Sequence, residues 1–244
     1  MLATSLKTRT MTNKTVFSPV FLLLAVLFCV CIIVANLMEI KTVELGPLTI
    51  TAGFVVFPLS YIISDCIVEI YGFSRARFVI WLGFAMNLLV TLLLQLGLAL
   101  PSHATWHHQE AMQIVFGATP RIFAASFTAF LCGSMVNAYV MSRMKSRSAR
   151  PSSVAGFSLR AIMSTLWGEG VDSAIFFPLA FAGSLPWNVI VTLCVTQALL
   201  KTLYEILVLP VTIKVVRILR NHEGIPAART DTTQSYKWWK ISEI

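Results

Sequence analysis

Apolar residues run along this chain in six long blocks, each separated from the next by a short polar or basic stretch. The blocks cover residues 17–38, 48–71, 78–100, 122–141, 158–181 and 187–216. Most are too long for buried strands and reach the about 20 residues that a helix needs to cross a bilayer core. The pattern predicts an all-α, polytopic integral membrane protein whose six transmembrane helices form a compact bundle over residues 17–220. Tails at 1–16 and 221–244 flank it. The first block does not read as a cleavable signal peptide, because its apolar run is too long and no A-x-A site follows.

Composition strengthens this reading. Hydrophobic residues make up 57% of the 244 and charged residues only 12%, against about 25% charged in ordinary soluble domains. So few charges cannot cover a globule with a solvated surface. The five cysteines, Cys29, Cys31, Cys66, Cys132 and Cys194, all lie inside apolar blocks. They show neither CxxC nor zinc-like spacing and read as packing residues.

The net charge of +8 belongs to topology. Lys7, Arg9, Lys14, Arg75, Arg77, Arg143, Lys145, Arg147, Arg150, Arg160, Lys214, Arg217, Arg220, Arg229, Lys237 and Lys240 all fall on one side of a six-span arrangement. Lys41 and Arg121 fall on the other, and Lys201 in mid-membrane. The positive-inside rule makes the rich side cytoplasmic, with both termini there. The chain is expected in a bacterial-type inner membrane, with the bilayer as its surroundings and no nucleic-acid partner. The YKWWK stretch, 236–240, reads as part of a loose tail or as an interfacial anchor.

Charge at a helix centre costs about 2.5–3.5 kcal/mol on insertion scales, so intramembrane ions mark function or a tight pair. Asp65, Glu69, Glu169, Asp172, Glu205 and Lys201 are such groups. Asp65 and Glu69 are i, i+4, Glu169 and Asp172 are i, i+3, and Lys201 and Glu205 are i, i+4, so each pair shares a helix face. For Lys201 and Glu205 two readings stand, a pair within one helix or ligand contacts. Glu69 could equally meet Arg75 or Arg77 at the cytoplasmic collar. Asp65, Glu169 and Asp172 have no same-helix cation at helical spacing and are favoured as functional.

The candidate binding set is therefore Asp65, Glu169, Asp172, Lys201 and Glu205, followed by Asn36, Trp167 and Gln197. Trp167 could stack on a ligand, although an aromatic residue in a span is more commonly core. Asn36 and Gln197 stand out among the intramembrane amides because they lie near the outer end of the first helix and one turn from Lys201. His103, His107 and His108 form a weak metal-like cluster in an outer loop, and a wet interfacial loop is the default. No metal or cofactor is expected. HExxH, GxSxG and the P-loop are all missing from the sequence, which argues against an enzyme.

Several runs, ANLMEIK (35–41), FPLSYIISDCIVEIYGFSRAR (57–77), ATPRI (118–122), GEGVDSAIFFPLAFAG (168–183) and KTLYEILVLPVT (201–212), resemble the queuosine precursor transporter family. The resemblance covers all but the tails. It implies import of 7-cyano- or 7-aminomethyl-7-deazaguanine, or queuine. It also implies a six-helix fold akin to the substrate-binding subunits of energy-coupling-factor importers, working without the ATPase module. A guanine-like edge offers N1–H and a 2-amino group side by side, which one carboxylate can accept, Glu169 or Asp172 by expectation. The alternative is a solitary capture subunit that docks a separate ATP-driven module. A homodimer is expected because six helices are few for a stand-alone carrier.

Overall fold

The computed structural model describes residues 18–46, 48–147 and 154–224. The tail at 1–16 and nearly all of that at 221–244, including the 236–240 stretch, lie outside the described residues. Helix α1 (Pro19–Met38) starts where the Ser18 hydroxyl accepts the Phe21 N–H at 3.1 Å, with proline in the first helical turn. That pairing satisfies an otherwise orphaned donor, and proline there gives up no intrahelical bond.

Residues after α1 do not enter the next helix directly. Strands β1 (Thr42–Leu45) and β2 (Leu48–Thr51) pair antiparallel, with Thr42 opposite Thr51 and Leu45 opposite Leu48. Gly46 at φ +60° turns the hairpin, a backbone conformation that costs glycine little. A short 3-10 turn (Ala52–Val55) follows, and helix α2 begins only at Phe57, running to Tyr71. The second block was expected to be helical from residue 48. Instead its first part spends its β-branched residues on a hairpin, whose backbone hydrogen bonds are met by strand pairing.

Gly72, at φ +86°, separates α2 from α3 (Phe73–Ala99). The predicted outer loop contains a further helix, α4 (Gln109–Phe116), before α5 (Thr119–Arg147). Helix α6 spans Val154–Phe181 and α7 spans Trp187–Glu223, ending on Gly224 in the left-handed conformation. Pro178 sits inside α6, and just there Arg121 of α5 donates to the Leu179 and Ala182 carbonyls at 2.7 and 2.5 Å. Arg121 thus closes the end of α6.

Two apolar cores hold the bundle. One joins α1, α2 and α3 through Phe21, Phe28, Cys66, Ile67, Val79 and Phe84. The other joins α5, α6 and α7 through Ile122, Ala129, Phe177, Ile190 and Leu193. Helices α5 and α6 cross closely at Gly133 and Gly168. A Cβ on Gly133 would stand 2.8 Å from the Gly168 carbonyl oxygen and 3.0 Å from the Asp172 Cβ. Small residues at such a crossing let backbones approach, and here the approach also fixes where Asp172 sits.

Large apolar side chains point outward as well. Val191, Val195, Leu199 and Leu203 form one exposed stripe on α7, and Leu88, Leu92 and Leu96 another on α3. Helices apolar on both faces belong in lipid. Among the described residues, four stretches are long and apolar enough to cross a membrane: Pro19–Met38, Ser74–Ala99, Gln109–Asn137 and Trp187–Val208. Helix α2, at 15 residues, and α6 are not among them. The molecule is an all-α, multi-pass membrane protein.

Candidate substrate-binding site

Helices α6 and α7 place one cation against two acids. The Lys201 ammonium lies 3.1 Å from Asp172 Oδ2 and 3.4 Å from Glu169 Oε2, all three side chains being largely buried. The spacing explains the geometry: Glu169, Asp172 and Ser173 fall on one stripe of α6, which turns toward Lys201. The ammonium also sits 4.2 Å from the centroid of the Phe57 ring at the start of α2, within cation–π range.

Gln197, one turn before Lys201, is only 1% exposed, and its Nε2 donates to Thr51 Oγ1 at 2.7 Å. This bond ties α7 to the end of β2. Asn36 lies on the last turn of α1, and its Nδ2 is buried with no hydrogen-bond partner among the described residues. Glu205, a turn beyond Lys201, accepts from Thr165 Oγ1 at 3.3 Å. The acids in contact with Lys201 are thus those of α6. Trp167 is 56% exposed and stands about 200° around α6 from Glu169, at about 100° per residue, so the structure does not bring it to this cluster. The Asp65 and Glu69 side chains lie outside the described residues.

One residue was not among the predicted set. Glu39 immediately follows α1, is 8% exposed, and has its Oε2 without a hydrogen-bond partner. The Thr51 hydroxyl faces its carboxylate, and it lies within Coulomb range of Lys201 and Asp172. Gly53 makes room for it, since a Cβ there would come within 2.5 Å of Glu39 Oε1. A carboxylate at a helix C-terminus opposes the helix dipole, and a buried acceptor left unpaired costs about 1–3 kcal/mol. Such a group needs a compensating donor. The sequence did hold a signal: TVELGPLTIT (42–51) alternates around Gly-Pro as a hairpin does, and a hairpin folds residue 51 back beside residue 39.

The cluster therefore sets donors (Lys201, Asn36 Nδ2 and the Ser173 hydroxyl, whose oxygen is also buried and unpaired) among three acceptor carboxylates. Three carboxyl groups thus surround a single ammonium. Phe57 supplies an apolar face. This equipment suits a small, flat, polar molecule bearing both donors and acceptors.

A helical bundle jacketed in apolar side chains, with its charge gathered inside, has the build of a membrane carrier. Residues 51–215 match the family described as "Putative vitamin uptake transporter". The "Probable queuosine precursor transporter" of Bacillus subtilis (strain 168) is 32% identical over 189 residues, which cover 78% of this chain and 81% of that protein. No solved structure matches. The chain belongs to the vitamin uptake transporter family that includes the queuosine precursor transporters, and it is a membrane transporter of the vitamin or precursor type.

Proposed function

We propose that this protein imports queuosine precursors, 7-cyano- or 7-aminomethyl-7-deazaguanine or queuine, across the inner membrane, without an ATPase partner. The observation that carries the proposal is the buried Lys201–Glu169–Asp172 cluster roofed by Phe57. A deazaguanine has N–H donors for the carboxylates and a carbonyl for a donor such as Lys201. Its flat bicycle suits the Phe57 ring. The binding set is Asp65, Glu169, Asp172, Lys201 and Glu205, with Asn36 and Gln197 beside them; Trp167, turned away from Glu169 on α6, is left out. Helices α2 and α6 complete six spans, in the manner of energy-coupling-factor capture subunits.

The purified chain alone, reconstituted in liposomes, is expected to accumulate labelled 7-cyano-7-deazaguanine, and unlabelled adenine is expected not to compete. Binding without uptake, relieved only by adding an ATP-driven module, would identify a capture subunit instead.

Both termini are placed in the cytoplasm, with the 101–108 segment outside, because sixteen basic residues gather on one side. Cysteines introduced singly should react with an impermeant thiol reagent from outside at Ser102 and not at Ser146. The reverse pattern would overturn the orientation.

A further inference from the structure

Glu169 and Asp172 both contact the Lys201 ammonium, at 3.4 and 3.1 Å, whereas among the described residues Glu39 makes no ion pair and its Oε2 accepts no hydrogen bond. From this difference we infer that Glu39 is the carboxylate that reads the N1–H and 2-amino edge of the substrate, with Asn36 Nδ2 donating to the neighbouring carbonyl oxygen. The inference rests on the deazaguanine reading above and assigns the selective contact within it.

Geometry supports the assignment from several sides. Glu39 and Asn36 are three residues apart at the end of α1, so they share one face of its last turn. Both present buried polar atoms without a hydrogen-bond partner among the described residues, Oε2 an acceptor and Nδ2 a donor. An acceptor beside a donor is the complement of a guanine-type edge, which offers a 2-amino group, N1–H and then O6. Thr51 faces the Glu39 carboxylate while itself accepting from Gln197. The bare Cα of Gly53 closes the other side, where a Cβ would also come within 2.7 Å of the Ala35 carbonyl oxygen. The carboxylate is thus oriented by α7, β2 and the 3-10 turn together, with Lys201 within Coulomb range of it. Thr51 and Gly53 are positioning residues in this arrangement.

The test is equilibrium binding to the full chain in lipid nanodiscs, with two probes: 7-cyano-7-deazaguanine and its counterpart lacking the 2-amino group. Wild type is expected to prefer the first by roughly ten- to a hundredfold, the worth of a charge-assisted hydrogen bond. Glu39→Gln should bring the two affinities to within about threefold of each other, chiefly by weakening the first. Glu39→Asp keeps the carboxyl group yet withdraws its oxygens by one methylene. It should shrink the preference as well, so a failure of the Gln variant to fold leaves the test intact. Asn36→Leu should weaken both probes and leave their ratio unchanged, because both carry the carbonyl. Wild-type preference in either Glu39 variant would overturn the inference, as would equal weakening of both probes by Glu39→Gln. Wild-type protein that binds neither probe would overturn the deazaguanine reading itself, and this assignment with it.

Discussion

Lys201→Met should lose most of its folded yield and all of its uptake. The side chain is about nine-tenths buried and is the cation that touches both Glu169 and Asp172. Removing one partner of a buried ionic cluster destabilises by about 3–5 kcal/mol, because the remaining charges are left uncompensated. Here two carboxylates lose their cation at once, and Phe57 loses the ammonium on its ring. The remedy follows from the same physics. Adding Glu169→Gln and Asp172→Asn to Lys201→Met converts the cluster to neutral groups of nearly the same shape, which buried sites tolerate far better than stranded ions. The triple variant should recover a monodisperse profile in detergent and a thermal midpoint close to wild type, while uptake stays absent. A single Lys201→Met protein with wild-type midpoint and uptake would show that the cluster neither holds the bundle nor binds.

Much of this was legible in the order of residues, for reasons that differ from one element to the next. Helix spans write themselves as long apolar blocks because every backbone group in lipid must be satisfied within its own helix. Hence α1, α3, α5 and α7 follow their blocks closely, with α7 continuing to Glu223. The second block hid a hairpin and a 3-10 turn, since a short apolar run with β-branched residues is ambiguous between strand and helix. That ambiguity also hid Glu39. With the first block closed at residue 38, Glu39 fell outside the predicted spans, and only the fold-back of β2 places Thr51 and Gly53 against it. The acids of α6 were found because burying charge is costly enough to be visible from composition alone.

Pairing was less legible than membership. Spacing along α7 made Glu205 an equal candidate for Lys201, but helix periodicity says nothing about the neighbour across the interface. The crossing of α5 on α6 at Gly133 and Gly168 decides it, because it fixes Asp172 where the Lys201 ammonium can reach. Trp167 shows the converse. Two residues from Glu169 in sequence, it lies nearly opposite on the helix, and sequence proximity to an acid is no measure of shared direction.

Glu169→Gln and Asp172→Asn should each give folded, membrane-inserted protein that binds substrate weakly. In either variant Lys201 keeps one carboxylate within 3.1 or 3.4 Å, so the ammonium is not stranded and the fold survives. What changes is the hold on the ammonium. One of its two charge-assisted contacts becomes a contact to a neutral amide, and the donor it offers to a ligand is no longer held in place. A contact of that kind contributes about 1.5–3 kcal/mol, which corresponds to roughly ten- to a hundredfold in affinity. The loss should also depend on ligand charge. Each variant removes one negative charge from a cluster in which acids outnumber the cation, so the cationic 7-aminomethyl compound should suffer more than the neutral 7-cyano compound. Glu110→Gln, on the exposed first turn of α4, should leave both affinities near wild type. Titration calorimetry with the two compounds on the three variants measures all of this. Wild-type affinity for both compounds in the α6 variants would show that Glu169 and Asp172 serve only to pack α6 on α7, and the charge-dependent loss would be absent with it.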